Sequence, residues 1–157
     1  MQTILVPVDF SPSTDAVLTA VGCLARLTPS RIILVHAFQS APILDPYANV
    51  VQQAALESEY EARTKLERLS VGLENDNFEA TAHLLLGAPG PSIVAEAERQ
   101  GAHWIVLGSQ GHGALRHLLV GSTTQHVIKH ATCPVLVIPP HCRTLPEPAA
   151  SAAASQN

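Results

Sequence analysis

The chain has 157 residues, 46% hydrophobic and 14% charged, with only 4% aromatic, which suits one domain of ordinary size and a core of Val, Ile, Leu and Ala. Nine Lys and Arg against thirteen Asp and Glu give a net charge of −4, with no basic patch, and this argues against nucleic acid as a partner. The three scattered cysteines Cys23, Cys133 and Cys142 do not make a disulfide framework, and no apolar run approaches the roughly 20 residues of a membrane span.

The first apolar run, residues 4–6, opens close to Met1; the expectation is a cytoplasmic protein with no signal peptide. It leads to Pro7-Val8-Asp9. Ser11 then reads as a helix N-cap and Pro12 as the first helical residue. Val17, Ala20, Val21 and Leu24 follow at helical spacing, with Cys23 a small core residue among them. A second strand is expected at 32–35, ending at His36-Ala37-Phe38. Residues 39–49, with Pro42 and Pro46, read as a loop or lid. Val51, Ala55, Ala62, Leu66 and Leu69 line one face of a long helix that Gly72 is expected to stop. A third strand is expected over 78–86, and a shorter helix over 91–100 with Ile93, Val94 and Ala97 inward. The fourth strand covers 104–107. A last helix starts near Ser122 with Val127, Ile128 and Ala131 inward, and the fifth strand covers 135–138. The tail after Pro140 is rich in Pro, Ala and Ser and is expected to be disordered. Unbroken apolar strands alternating with helices predict a three-layer, open, five-stranded parallel sheet with helices on both faces.

In such sheets ligands bind beyond the carboxyl ends of the strands, where the winding reverses. The most informative run lies there: Gly108-Ser109-Gln110-Gly111, then Gly121-Ser122 at a helix start. Glycines after a strand admit close approach of a ligand, and a helix opening offers unpaired N–H groups to phosphate. A tight strand-to-helix connection is the other reading. The run is not a Walker A sequence, because His112 stands where Lys is needed. Nor is it a dinucleotide fingerprint, which needs a small residue where Arg116 stands. Asp9 is the one carboxylate beside a strand end. It suits ribose hydroxyls, a metal, or the cap of the first helix.

These residues resemble the universal stress protein family. The likeness rests on Gly108-x2-Gly111-x9-Gly121-Ser122, on Ile4-Leu5-Val6-Pro7-Val8-Asp9, on Gly87-x-Pro89, and on the run from Val127 to Val137 that contains Thr132-Cys133-Pro134. The resemblance implies strand order 3-2-1-4-5 and the ATP-binding branch. It places Pro7, Val8 and Asp9 on adenosine, with Asp9 on the ribose, and Ala37 in the adenine pocket. Leu107, Gly108, Gln110 and Gly111 would wrap the ribose and first phosphates, and Gly121, Ser122, Thr123 and Thr124 the distal phosphates. The ligand would be ATP, with AMP or ADP as alternatives, and Mg2+ or Mn2+ carried on the phosphates. Family members often have Arg or His at the place of Gln110 and a polar residue at that of Val8; Arg116 matches a commonly basic position. The resemblance also implies a homodimer through the edge strand Val135–Ile138, and a protein partner whose identity the sequence does not name.

On this reading residues 1–140 form the nucleotide-binding domain, a nucleotide-dependent stress-response sensor or regulator. The rival readings are a homodimeric interaction protein of the same fold that binds no nucleotide, and a weak ATPase or self-phosphorylating protein. No Gly-x-Ser-x-Gly elbow or Ser-His-Asp set is present, so efficient catalysis is not expected. His126 and His130 stand four apart with Cys133 following, a spacing that can bind zinc. No fourth ligand is evident, and the pair is read as surface-facing rather than as metal ligands. His112 and His117 are read as phosphate contacts or as solvated loop positions.

Overall fold

The structure, a computed structural model, describes residues 1–39, 48–110, 120–140 and 142. The chain order is β1 (Gln2–Pro7), α1 (Thr14–Leu27), β2 (Ser30–Phe38), α2 (Ala48–Asn75), β3 (Glu79–Leu86), α3 (Pro89–Arg99), β4 (Trp104–Gly108), α4 (Ser122–His130) and β5 (Val135–Ile138). All strand pairs are parallel, in the order β3-β2-β1-β4-β5. Winding therefore reverses between β1 and β4.

The apolar runs of the inner strands β2, β1 and β4 are buried on both faces, whereas those of the edge strands β3 and β5 are only partly buried, with Leu86 and Leu136 exposed, a correction to the expectation that every apolar run is covered on both sides. Alternate residues point to opposite sides. Ile4, Val6, Ile32, Leu34 and Val106 pack with Val17, Val21 and Leu66 of α1 and α2. Leu5, Ile33, Val35, Ile105 and Leu107 pack with Ile93, Ala97 and Val127 of α3 and α4. Each fully buried Leu, Ile or Val contributes about 1.5–3 kcal/mol.

Several local expectations shift. Helix α1 begins at Thr14, not at Pro12. The Thr14 N–H donates to the Ser11 carbonyl at 3.0 Å, so Pro12 serves a turn at its favoured second position. Gly72 does not stop α2, which runs on to Asn75. Leu73, the next residue, is buried, and its burial outweighs the roughly 1 kcal/mol cost of a helical glycine. The chain turns out of the helix instead just after Asn75, at Asn77, with φ 64. Ala62 and Leu66 are buried and Leu69 partly so. Residue 48 and 49 of the expected 39–49 loop already belong to α2, whereas 40–47 and the side chains of Val51 and Ala55 lie outside the described residues. In α4 the inward face is Thr124, Val127 and Ala131, and Ile128 is 51% exposed, a correction to its expected inward position. Ile128 sits one step round the helix from Val127, off that face. Cys23 is half-buried. Apart from Cys142, which is exposed, the tail expected to be disordered lies outside the described residues. Among the described residues no helix is long and apolar enough to cross a membrane.

One charged group is buried between β3 and α3. Glu96 is only 6% exposed. Its carboxylate accepts Arg99 Nε at 2.8 Å and Arg99 Nη2 at 2.6 Å, Gln100 Nε2 at 3.0 Å, and lies 2.8 Å from His83 Nδ1. Burial alone would push this carboxyl up. The hydrogen bonds from Arg99, His83 and Gln100 and the Arg99 charge outweigh that and hold its pKa at about 2, against 4.5.

Candidate functional site

The site begins at the carboxyl ends of two neighbouring strands, β1 and β4. β1 and β4 are registered only at Ile4–Trp104 and Leu5–Ile105. β1 continues beside β2 as far as Pro7–Val35, and β4 beside β5 as far as Gly108–Ile138. The carboxyl ends of β1 and β4 thus lie side by side at the point of reversal, where an open sheet of this kind leaves a crevice.

One wall comes from the segment after β1. The Val8 N–H donates to the Val35 carbonyl at 2.9 Å. His36 Nδ1–H donates to the Val8 carbonyl at 2.8 Å, because a carbonyl can only accept. Both backbone groups of Val8 are thus engaged, and its side chain is buried in the core on the α1–α2 side. Asp9 Oδ1 accepts the Ser11 N–H at 3.0 Å, an Asx turn. Between them Phe10 adopts φ 59, a left-handed conformation uncommon for a bulky residue. Its ring lies 4.5 Å from that of His36. The turn reverses the chain so that Ser11, Ser13 and the start of α1 face β4.

The other wall comes from the segment after β4. Ser109 N–H donates to the Ile138 carbonyl at 2.8 Å, and Gly121 N–H donates to the Ser109 carbonyl at 2.7 Å. Thr124 Oγ1 donates to the Gly108 carbonyl at 2.8 Å. The start of α4 is thereby held against the end of β4. Gly121 is the N-cap, and no side chain caps this helix. The first N–H groups of a helix have no intrahelical acceptor, so those of Ser122, Thr123 and Thr124 form an anion-attracting end.

The two walls touch. Ser13 Oγ donates to the Gln110 carbonyl at 3.1 Å and lies 2.7 Å from Ser11 Oγ. A β-carbon on Gly108 would come within 3.3 Å of both the Gln110 carbonyl oxygen and Ser13 Oγ, so a side chain there would crowd the junction. Thr14 Oγ1 is buried with no hydrogen-bond partner among the described residues.

Of the sequence-derived residues, Pro7, Val8 and Asp9 flank one side of the crevice, and Leu107, Gly108 and Gln110 the other. Gly121, Ser122, Thr123 and Thr124 form the helix start above it. Leu107 is buried in the core and has only backbone to offer. Thr124 is 4% exposed, with its hydroxyl committed to Gly108. Ala37 is half-buried on β2 and shares the strand face of Val35. Gly111, His112, Arg116 and His117 lie outside the described residues. Sequence reasoning missed Ser13, which joins the two walls. A second serine two residues after Ser11 was the available signal. Among the described residues no group of three or more His, Cys, Asp or Glu could hold a metal ion.

Comparison with known proteins agrees with the fold. The model of the universal stress protein family matches residues 1–139. Universal stress protein MJ0577 of Methanocaldococcus jannaschii is 31% identical over 152 residues, covering 87% of this chain and 94% of its own. The solved structure of universal stress protein UspA from Lactobacillus plantarum superposes with a TM-score of 0.78 at 24% identity, over 87% of this chain and 97% of that one. A universal stress protein from Archaeoglobus fulgidus, solved in complex with dAMP, superposes with a TM-score of 0.60 at 22% identity, over 88% and 98% of the two chains. The match from end to end of the sheet, with the same fold, makes this chain a member of the universal stress protein family.

Proposed function

We propose that this protein binds an adenine nucleotide in the crevice between β1 and β4 and acts in the cytoplasm as a nucleotide-dependent regulator of a stress response. The observation that carries the reading is the junction itself. The carboxyl ends of β1 and β4 meet at the point of reversal, and the start of α4, with no side-chain cap, is fastened beside them by Thr124 and Gly121. The adenosine would lie against Pro7, Val8, Asp9 and Ala37, with Val8 shaping the wall and Asp9 reaching the ribose. Leu107, Gly108, Gln110 and Gly111 would follow the ribose and first phosphates with their backbone. Gly121, Ser122, Thr123 and Thr124 would hold the distal phosphates. ATP with Mg2+ or Mn2+ is the preferred ligand, with AMP and ADP as competitors. The dAMP complex of the Archaeoglobus fulgidus relative supports an adenine nucleotide. The backbone donors of this arrangement suit holding phosphates, and turnover is proposed to be at most slow.

Calorimetric titration with ATP and Mg2+, and with AMP alone, tests the reading. Saturable heat and a raised melting temperature are expected, both abolished in Gly111→Val. No heat and an unchanged melting temperature at millimolar ATP overturn it.

The homodimer is proposed through β5. This strand pairs with β4 on one side and stands at the sheet edge, with Leu136 36% exposed. An apolar edge of this kind invites pairing. Light scattering at micromolar concentration is expected to give a dimer, and Leu136→Asp a monomer.

A further inference from the structure

We propose that helix α4 carries a surface site for a divalent transition-metal ion of the Ni2+ or Zn2+ type, with His126 and His130 as its two protein ligands and water in the remaining positions. Four observations place the two imidazoles together and prepare them to bind.

They lie one helical turn apart, so both side chains leave α4 on the same face. Their rings are stacked, 4.2 Å between centroids and 27° between planes. A shared ion at about 2.0–2.1 Å from each nitrogen needs the two nitrogens within about 4 Å, and rotation of the exposed His130 ring out of the stack would turn a nitrogen of each ring towards one point.

The tautomer of His130 is set. Its Nδ1–H donates to the His126 carbonyl at 2.8 Å. The proton is therefore on Nδ1, and Nε2 keeps its lone pair for a metal. A backbone carbonyl that orients the ring through its other nitrogen is the usual support of a ligating histidine.

His126 is held from behind. A β-carbon on Gly90 of α3 would come within 2.7–2.8 Å of His126 Cβ, Cγ and Cδ2. The ring lies directly on the glycine backbone, and only glycine leaves room for it. Among the described residues its ring makes no hydrogen bond to a side chain.

The site also stands at the last turn of α4, with His130 its final residue. The partial negative charge of a helix C-terminus favours a bound cation there. Lys129, exposed between the two ligands in sequence, is the neighbouring like charge. Cys133 is not the third ligand: its side chain packs against the core cluster under α3 and α4, and burial pushes its thiol pKa up, which disfavours the thiolate. Two imidazoles select borderline cations over Mg2+, which prefers oxygen. The site is thus independent of any metal carried on a nucleotide's phosphates.

The test uses the full chain, titrated with NiCl2 by calorimetry and followed in 1H–15N spectra at substoichiometric Ni2+. The expected result is one saturable event, with the signals of residues 123–133 broadened first. His130→Gln or His126→Gln alone should weaken it about tenfold or more, since losing a ligand costs no less than losing its supporting shell. The His112→Gln/His117→Gln/His141→Gln variant should bind as the parent does, and MgCl2 should leave the α4 signals unchanged. Each variant is first shown by its melting curve to be folded. Broadening centred on the signals of the three mutated histidines instead, or affinity within twofold of the parent in both single variants of α4, overturns the proposal.

Discussion

The crevice between β1 and β4 and the Glu96 cluster between β3 and α3 treat polar groups in opposite ways. Around Glu96 every strong group is answered: a buried carboxylate meets the donors of Arg99, Gln100 and His83. At the crevice, helices α1 and α4 both point N-termini towards the opening, and neither has a side-chain cap. The few hydroxyls present are spent on carbonyls, Ser13 on Gln110 and Thr124 on Gly108, not on the free N–H groups. Saturated polar groups stabilise the fold, whereas unsaturated ones are left for a ligand. On the proposed function, the contrast puts stability in one region and binding in the other.

The largest test of that division is Glu96→Ala. It removes a charged acceptor from several donors and is expected to cost about 1.5–3 kcal/mol in a urea melt, with nucleotide affinity unchanged. A loss of affinity equal to the loss of stability would merge the two regions into one. The same carboxylate predicts an acid response. Its folded pKa of about 2 is below the ordinary 4.5. Its contribution is therefore complete above pH 4.5 and lost as pH falls towards 2. Urea midpoints measured from pH 6 down to pH 2 should drop through that window more steeply in the parent than in Glu96→Ala.

Next in size is Thr124→Val, which keeps the shape and leaves the Gly108 carbonyl without its hydroxyl donor. The expected cost is about 1–2 kcal/mol, together with weaker nucleotide binding, because the end of β4 is no longer fastened to α4. Unchanged binding would show that the fastening serves the fold alone. The smallest effect on stability, and the sharpest on the comparison, belongs to Thr123→Glu. A carboxylate in the first turn of α4 should stabilise by about 0.3–1 kcal/mol, read as a higher melting temperature. The same charge occupies the phosphate position and should abolish the calorimetric ATP signal. Stability and binding then move in opposite directions from one side chain.

The sheet was legible because its strands are short apolar runs separated by helical spacing, and this signal is local. Strand order and the crevice's position followed from the family resemblance and from the rule for the point of reversal. What escaped the sequence depends on partners far apart in the chain. Glu96 looks like an ordinary helix-surface residue until β3 brings His83 beside it. Ser11 looks like a cap until the Asx turn at Asp9 and the left-handed Phe10 delay the helix to Thr14. Gly72 looks like a stop until Leu73 is seen to be buried. Ser13 carries no motif at all, and its role appears only when Gln110 arrives across the crevice.

The hydrogen bond from Gly121 to the Ser109 carbonyl has a consequence for how such a protein can diversify. It ties the two ends of the intervening segment together, next to a strand and a helix that are already anchored. The segment is thus a cassette with a fixed socket. Lengthening a closed loop costs little, about 0.6 kcal/mol for each doubling. Residues between those ends can therefore change in number and chemistry without disturbing the sheet, so that one scaffold can carry different contacts there while its fold stays the same.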